Sequence, residues 1–225
     1  MLKFLNGSTL INAALQAGMT TGFQPGIGHT ISIRPLRAED FDTEYEFVTG
    51  PSRETRNSRL LGGARPVTPE YVARLTRVDY ARQLALAAVV MLEARERLIG
   101  VARYALEPDG SGCEFAIVIA DAWQGRGIGR YLTETLIAAA RAHAIPRIRG
   151  YTYSTNAAVL ALARKLGFRL QRVAGDATLT QVMLELLYAH RAVPLAAPGE
   201  LFASRHVSCA SSVIAFLKCE ALPKS

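Results

Sequence analysis

Hydrophobic and polar positions along the chain predict alternating strands and helices between residues 30 and 187. In Thr30–Pro35 apolar residues alternate with polar ones, as in a half-buried strand. Acidic residues then open a helix from Ala38, where the positive end of the helix dipole favours them. A second helix is predicted from Thr68, because a threonine N-cap followed by Pro69 is a common helix start.

Three strand-like runs follow, and short polar turns between them indicate an antiparallel meander. The runs are Leu84–Leu92, Arg97–Leu106 and Cys113–Ile119. After a glycine-rich stretch, a helix with an apolar stripe is predicted to end at about His143, shortly before Pro146.

The remaining pattern predicts a strand, a helix and two closing strands. They cover residues 147–152, 156–166, 168–173 and 177–187. The sequence therefore predicts an α+β fold with a mixed, mostly antiparallel sheet of about seven strands and about four helices. We expect residues 1–29 to be an N-terminal extension, 30–187 one domain and 188–225 a C-terminal tail.

Composition narrows the class of protein. The chain has 225 residues, of which 50% are hydrophobic, which is enough for one well-packed domain. The net charge is +7, but no block of five basic residues occurs, so we expect no nucleic-acid partner. A modest positive field suits a ligand with several phosphates.

Three cysteines without CxxC spacing predict a reducing, cytoplasmic location and no zinc site. The four histidines are dispersed, so no metal is expected. No apolar run approaches the roughly 20 residues of a membrane span, and no signal-peptide pattern is present, so no membrane partner is expected.

The strongest chemical signal is the segment Gln124–Gly129, which follows a predicted strand and opens a helix. Three glycines let the backbone approach a ligand closely, so that successive N–H groups and the positive helix end can bind phosphate oxygens. The pattern is neither the dinucleotide fingerprint, since Arg130 stands where the third glycine belongs, nor a P-loop, since no Gly-Lys-Ser/Thr follows.

These motifs resemble the GNAT superfamily of acyl-CoA-dependent N-acetyltransferases over Thr30–Leu187. Gln124–Gly129 is similar to its pyrophosphate loop, Ile117–Ile119 to the strand that pairs with pantetheine, and Asn156–Phe168 to its closing helix. The resemblance implies acetyl-CoA as co-substrate. It also implies the following cofactor-binding residues: Ile117, Val118, Ile119, Gln124, Gly125, Arg126, Gly127, Ile128, Gly129, Arg130 and Asn156.

The run Cys113–Gly127, with Arg74–Arg82 upstream, is similar to bacterial protein lysine acetyltransferase domains. This implies a lysine acceptor, whose ammonium group has a pKa of about 10.4 and must lose a proton before it attacks a thioester. Glu114 is the candidate general base, because its position resembles that of the general base in those relatives. Period-two alternation places it with Ala116 and Val118 on one face of the strand.

Alternation places Cys113 on the face opposite Glu114, so direct attack is favoured over an acetyl-cysteine intermediate. Many GNAT members have a tyrosine in the closing helix as general acid, but Ala163 occupies that position here. Tyr151 and Tyr153 on the neighbouring predicted strand are candidate substitutes. Trp123 is predicted to be a packing anchor.

Two other functions stay open from the sequence. The acceptor could be a small amine, although Glu54 is a lone acid among arginines in the loop 50–66. Alternatively, the chain could be a CoA-sensing module without catalysis. A homodimer is also left open.

Overall fold

An eight-stranded sheet forms the centre of the chain over the residues that the computed structural model describes, namely 21–23, 29–50 and 67–186. The strands are β1 (Thr21–Phe23), β2 (Ile31–Pro35), β3 (Gln83–Leu92), β4 (Arg95–Leu106), β5 (Cys113–Ile119), β6 (Arg147–Tyr153), β7 (Arg169–Val173) and β8 (Asp176–Glu185). The helices are α1 (Phe41–Thr49), α2 (Pro69–Thr76), α3 (Ile128–Ala142) and α4 (Ala157–Lys165), with 3₁₀ turns at Ala38–Asp40 and Asp121–Trp123.

The strand order in the sheet is β1-β2-β3-β4-β5-β6-β8-β7. Every neighbouring pair is antiparallel except β5 and β6, which are parallel. The predicted α+β class is confirmed. The eighth strand is β1, whose three residues pair with Ile31–Ile33 and are too few to give a periodic signal.

The local sequence explains where three of the helices begin. The Thr68 hydroxyl accepts a hydrogen bond from the Tyr71 N–H at 3.2 Å, so the predicted N-cap of α2 is confirmed. Likewise, the Asn156 carboxamide accepts from the Val159 N–H at 3.2 Å and caps α4. Helix α3 begins after Gly127, whose φ of 82° lies in the left-handed region that glycine favours.

The turn between β3 and β4 is tighter than the sequence predicts. Glu93 and Ala94 both have positive φ, 49° and 61°, as in a two-residue type I′ hairpin turn. Strand β4 therefore starts at Arg95 rather than at Arg97. The turn predicted over Glu93–Glu96 is therefore confirmed in position, but not its two-residue length, because neither Glu93 nor Ala94 is a residue that usually adopts positive φ.

Two hydrophobic clusters lie on opposite faces of the sheet. One packs against α3 and α4 and contains Leu86, Leu132 and Ile148. The other packs against α1 and α2 and contains Phe47 and Val101. Within the described ranges no helix combines the length and apolarity needed to cross a bilayer.

Strand β5 has two very different edges. It pairs with β4 over its whole length, from Cys113–Leu106 to Ile119–Gly100. On its other edge it pairs with β6 only at Cys113–Ile148 and Glu114–Arg149, although β6 also has seven residues. The sheet therefore opens between β5 and β6 on the side that leads to α3.

Candidate active site

The glycine-rich loop connects the open end of β5 to helix α3. Gly125 and Gly127 have φ values of 73° and 82°, which an L side chain rarely adopts. Gly127 is the N-cap of α3 and offers no side-chain cap. The first intrahelical hydrogen bond is donated by the Tyr131 N–H to the Gly127 carbonyl. The N–H groups of the first three helical residues, 128–130, therefore have no partner within the helix and are available to a ligand.

Two side chains of the loop, Gln124 and Arg126, hold it in place. Gln124 Nε2 donates to the Ile119 carbonyl at 3.1 Å and to Asp121 Oδ1 at 3.2 Å. The Arg126 guanidinium lies 5.2 Å from the centre of the Trp123 ring, a cation–π distance. Trp123 also packs partly against the core, so its predicted packing role is confirmed and it supports Arg126 as well.

These features fit a diphosphate. Residues 124–127 are exposed, and a Cβ added at Gly125 would meet no atom within 4 Å, so the backbone faces open space. Uncapped N–H groups at the start of a 15-residue helix attract anions. Arg126 adds positive charge at the same place. Arg130, one turn along, pairs with Glu134 at 2.9 Å.

Several predicted cofactor-binding residues have their side chains in the core. Ile128 is 1% exposed, and Ile117 and Ile119 pack against the cluster below α3. Val118 packs on the opposite face. The side chain of Ile128 is therefore withdrawn into the core, whereas Ile117, Val118 and Ile119 are partly buried and their main chain lies along the open edge of β5.

Glu114 lies at the point where β5 and β6 stop pairing. It is 1% exposed, and its register partners are Ala105 on β4 and Arg149 on β6. Cys113 packs with the α3 cluster, whereas Val118 packs with the α1 cluster, so the predicted alternation along β5 is confirmed. Burial, together with nearby Glu107 and Glu114, raises the pKa of the Cys113 thiol to about 12.

Polar side chains surround Glu114 on its side of the sheet. We call this the polar face, and it consists of Arg103, Glu107, Glu114, Arg147, Arg149 and Tyr151. Arg149 Nε lies 2.5 Å from Glu107 Oε1, and Arg147 Nη2 lies 3.8 Å from Glu107 Oε2. Arg103 Nη1 donates to the Leu75 carbonyl at 3.3 Å.

Sequence reasoning missed Glu107 and the two arginines of β6. Arg147 and Arg149 flank Ile148, which packs in the α3 cluster. The alternation along β6 therefore indicates that the two arginines lie together on the opposite face. Nothing local connects them to Glu107, which is 40 residues away from Arg147 along the chain. Sequence alone therefore gave no means of joining them into one cluster.

Of the two tyrosines considered as proton donors, Tyr151 has a defined partner. Its hydroxyl accepts a hydrogen bond from Gln181 Nε2 at 2.9 Å. Ala163 is 6% exposed and packs in the core with Leu160 and Phe168. Glu54 lies outside the described residues. Among the residues that are described, no group of three His, Cys, Asp or Glu side chains is arranged to hold a metal ion.

Known proteins match both the sequence and the fold. The family model for the acetyltransferase (GNAT) domain matches residues 30–169. The acetyltransferase PA5475 of Pseudomonas aeruginosa is 34% identical over 151 residues, which cover 67% of this chain and 81% of that protein. The chain thus belongs to the GNAT acetyltransferase family, which makes it an N-acetyltransferase with acetyl-CoA as co-substrate.

Solved structures show the same architecture. The GNAT domain of S. lividans PAT superposes with a TM-score of 0.65 at 22% identity, covering 74% of this chain and 97% of that one. The putative acetyltransferase yncA of Salmonella typhimurium, solved with acetyl-CoA, gives a TM-score of 0.55 at 23% identity, covering 72% of this chain and 96% of that one. The predicted GNAT-like fold is confirmed.

Proposed function

We propose that this N-acetyltransferase acts on a protein lysine, and that Glu114 is the general base for direct attack. The observation that carries the proposal is the position of Glu114. Its carboxylate is buried on the polar face, where the sheet opens between β5 and β6. The similarity of the run Cys113–Gly127 to protein lysine acetyltransferase domains supports the lysine acceptor.

The loop and the open edge of β5 would hold the co-substrate. N–H groups of Ile128, Gly129 and Arg130 would bind the diphosphate, with Arg126 beside them. Main-chain groups of Ile117–Ile119 and the Asn156 side chain would contact the pantetheine arm. Acetyl-CoA supplies the acetyl group as a thioester, which an uncharged amine can attack.

Glu114 would take the proton that the lysine ammonium must lose, directly or through one water. The amine nitrogen then bonds to the thioester carbonyl carbon, the C–S bond breaks, and the sulfur leaves with the electron pair. The net products are an amide, CoA thiol and one proton released to solvent. Cys113 takes no part, since its thiol is fully buried on the opposite face and its pKa is raised to about 12.

The test combines binding and turnover in one sample. Acetyl-CoA binding is measured by calorimetry, and CoA release is then followed with lysine-bearing proteins. We expect Glu114→Gln to lower kcat by about 10²- to 10⁴-fold, the usual contribution of a general base, with little change in the Kd of acetyl-CoA. Glu39→Gln, at an exposed acid outside the polar face, is the matched control and should keep wild-type turnover.

Three outcomes would contradict the proposal. Unchanged release in Glu114→Gln excludes Glu114 as the base. Release with small amines but with no protein favours the small-amine alternative. Tight binding with no release from any acceptor favours a CoA-sensing module.

A further inference from the structure

The polar face places arginine side chains at the surface around a buried base. We propose that the acceptor lysine lies in an acidic segment of its protein, whose carboxylates bind Arg147 and Arg149. This inference rests on the proposed function, because it assigns the polar face to the acceptor.

Positive charge exceeds negative charge on this face. Arg103, Arg147 and Arg149 face two carboxylates, Glu107 and Glu114, so three cations meet two anions. Moving outward to β7 and β8 adds one charge of each sign, since Arg169 is opposite Met183 and Glu185 is opposite Arg147. This excess of one positive charge holds for strands β4 to β8 and Glu107. Helix α1, which packs on the same face, adds the acid Glu44, which is fully buried.

The arginine side chains of this face are more exposed than the carboxylates of Glu107 and Glu114. The side chains of Arg147 and Arg149 are 37% and 31% exposed, whereas that of Glu107 is 8% exposed. Glu114 as a whole residue is 1% exposed. An approaching molecule therefore meets the guanidinium groups of Arg147 and Arg149 before the carboxylates of Glu107 and Glu114. The exposed acid of this face is Glu185, at its outer border opposite Arg147.

This arrangement disfavours a bare cation. A protonated amine close to a guanidinium group in a partly solvated site is repelled by it, since both carry positive charge. A carboxylate next to the amine reverses the sign of that interaction, and guanidinium groups bind carboxylates with paired, directional hydrogen bonds. Arg149 is also the register neighbour of Glu114, so a carboxylate held there brings its neighbouring lysine towards the base.

The experiment uses two peptides that differ only in charge. Both carry one lysine, flanked on each side by two Glu in one peptide and by two Gln in the other. CoA release from the full chain with acetyl-CoA gives kcat/KM for each. We expect the Glu peptide to be preferred by about tenfold or more, chiefly through KM, and the preference to shrink as NaCl rises from about 50 to 500 mM because salt screens exposed charges.

Variants assign the preference to the polar face. Arg149→Gln should lower kcat/KM for the Glu peptide and bring the ratio of the two peptides towards one, while Arg149→Lys should retain part of it. Damage to the fold would instead lower both peptides together and leave the ratio intact. Arg141→Gln removes an exposed arginine on α3, on the other side of the sheet, and should leave the ratio unchanged.

Equal kcat/KM for the two peptides, or a preference for the Gln peptide, overturns the inference and leaves the acetyltransferase proposal standing. A free amino acid with an amine and a carboxylate is the third substrate. If its kcat/KM exceeds that of the Glu peptide, the assignment to an acidic protein segment is wrong. Release with none of the three, despite bound acetyl-CoA, overturns the protein-lysine proposal and this inference together.

Discussion

The two edges of strand β5 differ in how far they are paired. Towards β4 all seven residues of β5 have a register partner, and side chains on both faces join the two hydrophobic clusters. Towards β6 only the first two residues are paired. The comparison shows that one strand can belong to the core of the domain and still keep an open edge, which is where the proposed pantetheine arm would lie.

The largest expected effect comes from crowding the last close contact between β5 and β6. A Cβ at Gly150 would lie 2.8 Å from the Phe115 ring and 2.9 Å from its carbonyl oxygen. We expect Gly150→Ala to lower the free energy of unfolding by about 3 kcal/mol, because the Phe115 carbonyl is fixed in β5 and the partly buried Phe115 ring packs against Phe168. Urea unfolding followed by circular dichroism measures this loss.

Combining that change with Phe115→Leu separates the two obstacles. The smaller side chain removes the ring contact but leaves the carbonyl, so partial recovery in the double variant identifies the ring as part of the obstacle. Wild-type stability in Gly150→Ala alone would show that the gap between β5 and β6 widens at no cost.

A smaller effect is expected at the loop that the open edge leads to. Gly125→Ala puts an L side chain at a φ of 73°, and we expect the loop to change shape and the Kd of acetyl-CoA to rise about tenfold, about 1.4 kcal/mol. Gly110→Ala is the matched control, since Gly110 has a φ of 71° and equally open space in a turn away from the loop. Calorimetry should show weaker binding in the first variant only, and equal weakening in both would contradict the role of the loop.

The smallest effect on turnover is expected on the covered face of β5. Cys113→Ala removes a buried sulfur and should reduce stability by about 1 kcal/mol, while kcat stays within about twofold of wild type. Steady-state CoA release checks the rate. A loss of two orders of magnitude in a folded Cys113→Ala variant would favour a covalent acetyl-cysteine mechanism instead.

Periodic elements were predictable from the sequence, and contacts between distant segments were not. The alternation in β5 correctly placed Cys113 and Glu114 on opposite faces. The apolar stripe along residues 128–140 correctly predicted helix α3. A turn was predicted over Glu93–Glu96, but its contraction to Glu93 and Ala94 was not, because these two residues do not favour positive φ.

At the site, the glycine loop was recognisable because all its parts are adjacent along the chain. The ion pairs of Glu107 with Arg147 and Arg149 were not, since they form only after β4, β5 and β6 lie side by side. The candidate roles of Glu114 and of the loop residues stay predictions until the variants are measured.

The burial of Cys113 also matters for how product formation can be detected. Burial raises the pKa of this thiol to about 12, so little of it is the reactive thiolate at pH 8, and the side chain is also fully buried. A chromogenic disulfide added during turnover should therefore react with released CoA and not with Cys113 in the folded protein. Cys209 and Cys219 lie outside the described residues, so replacing both by serine would give a protein suited to continuous colorimetric measurement.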